Sequence, residues 1–173
     1  MRSARGFTLI ELLVVLAIIG ILVSFAIAGF RYARIRGAEA AAVAALDAIN
    51  QAQFAYMQTC GHQLYAPTLG SLGTPTPNGG APYLSPDLAV GDQVVKSGYL
   101  IKMAGTEAPE APQTCTSVQP VSGYQITADP TSPGLSGTRF FATNTDRAIY
   151  HDTATFSGNM PETGAPPHGS EVK

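Results

Sequence analysis

The sequence predicts an α+β fold, in which one long N-terminal helix packs on a small antiparallel β-sheet of three or four strands. Three observations favour it. No proline occurs between Phe7 and Cys60, and alanine dominates the second half of that segment. After residue 61 the chain becomes rich in Gly, Pro, Ser and Thr, and short apolar segments that begin with Ser-Gly-Tyr follow. The helical signal therefore precedes the strand signals along the chain.

The first half of the predicted helix is almost entirely apolar. From Phe7 to Phe30 its polar side chains are Thr8, Glu11 and Ser24. A helix of this length reaches roughly 36 Å, which is enough to cross a hydrocarbon core of ~30 Å. A buried core helix is the first alternative, but in so small a domain it would rarely be apolar on every face. A secretory signal peptide is the second, but its apolar region spans only about 7–15 residues.

The second half of the helix is predicted to be amphipathic. Alanine gives residues 31–57 a high helix propensity, and Gly61 is a suitable C-terminal stop. One face of this half is expected to pack against a globular head. Its predicted apolar stripe consists of Val43, Leu46, Phe54 and Met57, with Ile49 beside it.

The remainder of the chain supplies the predicted sheet. Residues 61–95 are predicted to form a long loop with one short helix at Ser85–Leu88, because Ser85 can cap it and Pro86 suits its first position. Strands are expected in Ser97–Met103 and Ser122–Ala128, and "TRFFATN" and "AIYHDTA" should form a hairpin. Residues 156–173 have the composition of a flexible tail.

Composition and motifs exclude several classes of function. The formal net charge of −2 gives no reason to expect a nucleic-acid partner. The two cysteines form no CxxC motif, and His62, His151 and His168 lack the spacing of metal ligands, so each is interpreted as a lone surface histidine. No nucleophile elbow, phosphate-binding loop or paired-acid motif occurs, and we expect no enzyme.

Glu11 is the unusual residue of the apolar segment. An ionised carboxylate costs roughly 2.5–3.5 kcal/mol at the middle of a membrane helix, although less near its end. It could lie at headgroup depth, where the positive end of the helix dipole favours it. Alternatively it could pair with a cation in an assembly. No Lys or Arg occurs between Phe7 and Phe30, so the nearest new cation would be an α-amino group created by a cut before Phe7.

The stretch "GFTLIELLVVLAIIGILVSFAI", preceded by "MRSAR", resembles the N-terminus of type IV prepilins and type II secretion pseudopilins. The resemblance covers about the first 30 residues. It implies that a membrane-bound prepilin peptidase cuts after Gly6 and methylates Phe7. It also implies that Glu11 neutralises the terminal amine of a neighbouring subunit during assembly, and that the fold is a pilin fold.

The resemblance also implies a division of the chain. Residues 1–6 are the leader peptide, 7–30 the transmembrane and filament-core helix, and 31–60 its amphipathic half. Residues 61–155 form the α+β head and 156–173 the tail. Loss of the leader removes Arg2 and Arg5, which changes the formal net charge from −2 to −4.

Partners and location follow from the same resemblance. The implied partners are identical or related subunits, the prepilin peptidase, an inner-membrane assembly platform, and membrane lipid before assembly. The chain should cross the inner membrane once and then enter an extracellular type IV pilus. A periplasmic pseudopilus for type II secretion is the alternative, and a binding protein on an uncleaved anchor is a third hypothesis.

Two further expectations depend on export. Two cysteines in an exported domain suggest one disulfide, Cys60–Cys115, against the alternative of two buried free thiols. No cofactor is expected. Calcium, which type II major pseudopilins bind, is kept as an alternative for Asp129, Asp146 and Asp152 near predicted strand ends, although aspartates in turns often bond their own backbone.

Overall fold

The computed structural model describes residues 6–77 and 79–172, without the side chains of residues 25–28. Residues 1–5 of the predicted leader lie outside the described part. The chain divides into two compact units, Met1–Arg34 and Ile35–Lys173. One helix, α1 (Leu9–Thr59), contributes 51 residues to them. In the first unit, the described side chains from residue 6 onward are all exposed.

The second unit contains a short helix and a six-stranded antiparallel sheet. The α+β class is therefore confirmed, but the predicted count of three or four strands is too low. Each strand pairs with its neighbour in the chain, so the sheet is a simple meander. Its elements are α2 (Leu69–Leu72), β1 (Gln93–Lys96), β2 (Tyr99–Ala104), β3 (Gln125–Pro130), β4 (Phe140–Asn144), β5 (Ile149–Asp152) and β6 (Ser170–Glu171).

The core lies between one face of α1 and one face of the sheet. Large side chains that are fully buried come from both elements: Leu46, Ile49 and Tyr56 from the helix, and Tyr99, Ile101, Ile126 and Phe141 from the strands. Burial of each such side chain contributes about 1.5–3 kcal/mol, so this face determines how the helix sits on the sheet.

Buried polar side chains on α1 also find partners in the head. The Asn50 side chain donates to Thr143 Oγ1 at 2.9 Å and accepts from the Tyr124 hydroxyl at 3.1 Å. The Gln53 amide exchanges two hydrogen bonds with the backbone of Ala66, at 2.9 and 3.0 Å. Because a buried polar group without a partner is costly, these bonds favour one register of the helix on the sheet.

The predicted apolar stripe is wrong at Phe54. Its side chain is 39% exposed, and the Arg147 guanidinium lies 4.5 Å from its ring centroid. The polar residues Asn50 and Gln53 occupy the buried face beside Ile49. A stripe defined by apolar residues alone therefore misses part of the buried face.

The loop predicted at residues 61–95 contains more structure than expected. It includes α2, capped by the Thr68 side chain, which accepts from Ser71 N, and also β1. The short helix predicted at Ser85–Leu88 is wrong. A single turn forms there, in which Leu88 N and Ala89 N both donate to Ser85 O, and the chain then leaves through Gly91 at φ +57° to start β1.

The end of the chain is packed, which differs from the predicted flexible tail. Phe156 and Met160 are buried beside Ala142 on a second apolar cluster. The Asn144 amide donates to the carbonyls of Pro161 and Gly164 at 3.1 and 2.7 Å, and β6 pairs with β5. The average composition of residues 156–173 is polar and therefore predicts a flexible tail, but burial of Phe156 and Met160 is sufficient to hold the segment on the head.

The predicted Cys60–Cys115 disulfide is present. It joins the end of α1 to the segment between β2 and β3, with the Cα atoms 4.9 Å apart. Cys115 N also donates to Cys60 O at 3.1 Å, and Cys60 is buried. The bridge closes a loop with a sequence separation of 55.

Reduction of this disulfide is expected to lower the melting temperature of the fragment 31–173 by about 10 °C. A loop of this length constrains the unfolded chain by about 4 kcal/mol, and each kcal/mol shifts the midpoint by roughly 2–4 °C in a domain of this size. The measurement is thermal unfolding with and without reductant. Equal midpoints, with complete reduction verified by thiol titration, would show that the bridge contributes little.

Candidate functional site

The first turn of α1 is built around Thr8 and Glu11. Glu11 N donates to Thr8 Oγ1 at 3.3 Å, while Thr8 N and Thr8 Oγ1 donate to Glu11 Oε2 at 3.3 and 3.0 Å. Leu12 N also donates to Thr8 O, so Thr8 occupies the N-cap position. This reciprocal arrangement is a capping box, which satisfies two of the backbone donors left free at a helix start.

The capping box gives Glu11 a local partner that the sequence interpretation missed. The signal was present, because Thr8-Leu9-Ile10-Glu11 has the Ser/Thr-x-x-Glu/Gln pattern. Its partners are neutral, however, and no ion pair to Glu11 occurs within residues 6–77 and 79–172. No cation therefore pairs with the Glu11 carboxylate in the described part of the subunit.

Gly6 and Phe7 lie ahead of the helix in an open environment. A Cβ atom added to Gly6 would meet no atom within 4 Å, and the side chain of Phe7 is 81% exposed. Nothing in the described structure therefore requires glycine at position 6. If glycine is required there, the requirement comes from another molecule that acts on this segment.

The apolar part of α1 has no packing partner in the subunit. It contains an 18-residue window with a mean hydropathy of 2.9, of which no part is buried. By length and composition it is the one helix among the described residues that could cross a membrane. A buried core helix would hide this surface, so that alternative does not fit. In a signal peptide the helix would end early, whereas α1 continues to Thr59.

One family model matches the chain, and its match falls on this segment. The model for the prokaryotic N-terminal methylation motif matches residues 1–27. The chain thus carries the class III signal that is typical of type IV pilins and pseudopilins. No curated protein and no solved structure matches the chain.

The three aspartates considered for calcium have other partners. Asp129 accepts from the Thr155 hydroxyl at 3.0 Å, Asp146 accepts from Gly164 N at 2.6 Å, and Asp152 contacts His168 Nδ1 at 2.7 Å. In the part of the chain that the structure describes, no group of three or more His, Cys, Asp or Glu could hold a metal ion. Calcium binding remains an untested prediction.

His168 differs from the lone surface histidine expected from the sequence. Its ring stacks on Phe156 at a centroid distance of 4.8 Å, and its hydrogen bond to Asp152 lowers the pKa of that carboxyl. Asp129 shows the opposite behaviour, because burial raises its pKa despite the hydrogen bond from Thr155. These contacts fasten the C-terminal segment to the rest of the second unit.

Glu39 is the other residue that the sequence interpretation missed. Its side chain is fully buried and accepts from Thr138 N at 3.0 Å, from Thr138 Oγ1 at 2.8 Å and from Arg139 Nε at 2.9 Å. Arg36 also pairs with it, at 3.1 Å. Burial alone raises the pKa of Glu39, but the bonds from Thr138 and Arg139 outweigh it and lower the pKa from 4.5 to about 2. Glu39 therefore ties α1 to the segment between β3 and β4.

Proposed function

We propose that this chain is a structural subunit of a type IV pilus, assembled from the inner membrane after cleavage by a prepilin peptidase. The observation that carries the proposal is the methylation motif at residues 1–27, followed by a helix whose apolar surface is bare. The protein class that this motif indicates is structural, and we infer that this chain has no catalytic role.

In this proposal, cleavage after Gly6 creates a new amine on Phe7, which the same peptidase methylates. Before assembly, the apolar half of α1 lies in the inner membrane as a single span. An assembly platform then moves the subunit into the fibre, where identical or related subunits replace lipid around the helix. Lipid tails are as apolar as the helix surface, so close packing and polar pairing between helices must drive this exchange.

Glu11 supplies the polar pairing. Its carboxylate pairs with the Phe7 amine of a neighbouring subunit, so the charge that is costly in lipid is neutralised in the fibre. The capping box supports this role, because it holds the carboxylate next to the start of the helix. The motif says nothing about which fibre is built, and a periplasmic pseudopilus for type II secretion would use the same residues.

Shearing of surface filaments tests the proposal. Cells that express the chain are sheared, and the chain is located in surface, periplasmic and membrane fractions by immunoblotting. We expect the processed chain in surface filaments that depend on the prepilin peptidase. A processed chain found only in periplasmic fibres would show that it builds a pseudopilus and not a pilus. A full-length chain that stays in the membrane would contradict both and support an uncleaved anchor.

Gly6→Val is expected to leave a full-length precursor in the membrane. The branched valine side chain should clash with the peptidase at the cut site. It should not disturb the chain itself, because a Cβ atom at position 6 meets no other atom of the chain within 4 Å. Gly20→Val is the matched control, because a Cβ atom at Gly20 also meets nothing within 4 Å but lies away from the cut. The readout is N-terminal sequencing of the membrane fraction. Normal cleavage in the Gly6 variant would show that the site is assigned wrongly.

A further inference from the structure

The second unit has two ends that are defined by its contacts with α1. Near the point where the helix enters this unit, Glu39 binds Thr138 and Arg139. Eleven residues later, Asn50 binds Thr143 and the carbonyl of Arg147. At ~1.5 Å per residue these contacts lie about 16 Å apart along the helix. The β3–β4 connection, residues 131–139, is therefore at the end where the helix enters, and we name it the entry loop.

The entry loop is an ordered structure that exposes one large apolar side chain. Thr131 N donates to Gly98 O at 2.9 Å, and Ser136 N donates to Ser132 O at 2.9 Å. Leu135 lies between these anchored positions and is 61% exposed. Its exposure is thus fixed by the hydrogen bonds of the loop, and the loop presents it at the entry end of the unit.

The charge around the entry loop differs from that of the rest of the unit. Eleven of the twelve acidic residues of the chain follow residue 34, against six of the ten basic ones, so the second unit is acidic as a whole. Its entry end nevertheless carries two arginines, Arg36 and Arg139, around the single carboxylate of Glu39. In the sequence, Arg31 and Arg34 immediately precede this cluster.

We propose that, before assembly, the entry loop rests on the membrane surface, with Leu135 among the lipid headgroups and Arg36 and Arg139 close to anionic ones. This inference rests on the proposed membrane anchor. In the sequence, Glu39 follows Phe30, the last residue of the apolar segment, by only nine residues. An apolar tip flanked by arginines matches the headgroup layer, where apolar and cationic groups are both favoured.

The contact would orient the head on the lipid surface and would be lost when the subunit leaves the membrane. Lipid is the proposed occupant because it offers an apolar layer for Leu135 together with anionic headgroups for the arginines. A second copy, whose acidic head exposes Val90 and Val95, is the alternative that the test below separates. Because the entry loop contains no acidic residue, it also avoids the repulsion that anionic lipid exerts on the acidic rest of the head.

A single-tryptophan experiment tests this inference, because the chain contains no tryptophan. Leu135→Trp is prepared in the full chain, reconstituted at one chain per nanodisc with brominated lipids. Val90→Trp is the matched control, because Val90 is also exposed, at 53%. It precedes the start of β1, whereas the turn that follows the end of β1 contacts the entry loop, so Val90 lies away from that loop. Val15→Trp in the apolar helix reports on insertion itself. Retention of the disulfide verifies that each variant is folded.

We expect Trp emission at position 135 to shift to shorter wavelength and to lose most of its intensity to the quencher, more so with anionic than with zwitterionic lipid. Emission at position 90 should stay that of a solvent-exposed ring. If position 135 behaves like position 90 while position 15 is quenched, the inference fails and the anchor stands. If position 15 is unquenched, the anchor fails and the inference with it. A shift at 135 that requires several chains per disc identifies a neighbouring copy and overturns the lipid contact.

Discussion

Glu11→Ala is expected to give a processed, membrane-embedded, folded subunit that enters filaments at close to background yield. A charge pair 4 Å apart is worth about 4 kcal/mol at an effective dielectric constant of about 20, which corresponds to roughly a thousandfold in subunit addition before desolvation is subtracted. The head should not respond, because its core begins beyond residue 35. The measurement is filament yield relative to the membrane pool at equal expression.

The capping box makes a sharper comparison possible. Glu11→Gln can keep the bonds to Thr8, since glutamine also suits this position, but it removes the charge. Thr8→Val removes the hydroxyl of the box and keeps the charge. We expect Glu11→Gln to assemble as poorly as Glu11→Ala, Glu11→Asp to be intermediate, and Thr8→Val to assemble well. Wild-type yield from Glu11→Gln would show that Glu11 acts through helix capping instead of through charge.

The second large effect is expected at Glu39. Glu39→Gln should lower the free energy of unfolding of the fragment 31–173 by about 3 kcal/mol at pH 7, because the folded state holds the pKa of Glu39 at about 2, below its ordinary value of 4.5. A carboxyl whose folded pKa is depressed stabilises the fold above its unfolded pKa and loses that contribution as pH falls through the folded pKa. The stabilisation should therefore be complete above about pH 5 and decline towards pH 2.

The measurement for Glu39 is urea unfolding of both proteins between pH 7 and pH 2. The difference in unfolding free energy should shrink as the pH falls through this range. Glu110→Gln is the matched control, since it removes the same charge from an exposed side chain and should change stability little. A Glu39 difference that does not depend on pH would show that packing, and not the ionised carboxylate, is what the variant loses.

The elements that the sequence predicts well are those specified by local patterns. The absence of proline and the run of alanine predict α1, and the short apolar segments that follow the Gly- and Pro-rich stretch predict β2 to β5. β6 is not predicted because it is only Ser170–Glu171, and β1 is not predicted because most of it lies in the segment 61–95 that the sequence assigns to a loop. Such strands exist because a neighbouring strand offers unpaired backbone groups, and a local pattern does not contain that information.

The same distinction holds for individual side chains. Glu39 and Asn50 look solvent-facing on a helix, yet both are buried, because their partners Thr138 and Thr143 lie 99 and 93 residues further along the chain. Phe54 looks like core but lies under Arg147 at the surface. In contrast, the capping box of Thr8 and Glu11 spans three residues and could have been predicted from the sequence.

The most direct test of the central claim is mass spectrometry of filaments sheared from the cell surface. The account predicts that this chain is present and that its N-terminal peptide begins at Phe7 with one methyl group on the amine. It also predicts that non-reducing digestion recovers Cys60 and Cys115 in one disulfide-linked peptide pair. Absence of the chain from the filaments, or an N-terminal peptide that begins at Met1, would contradict the account.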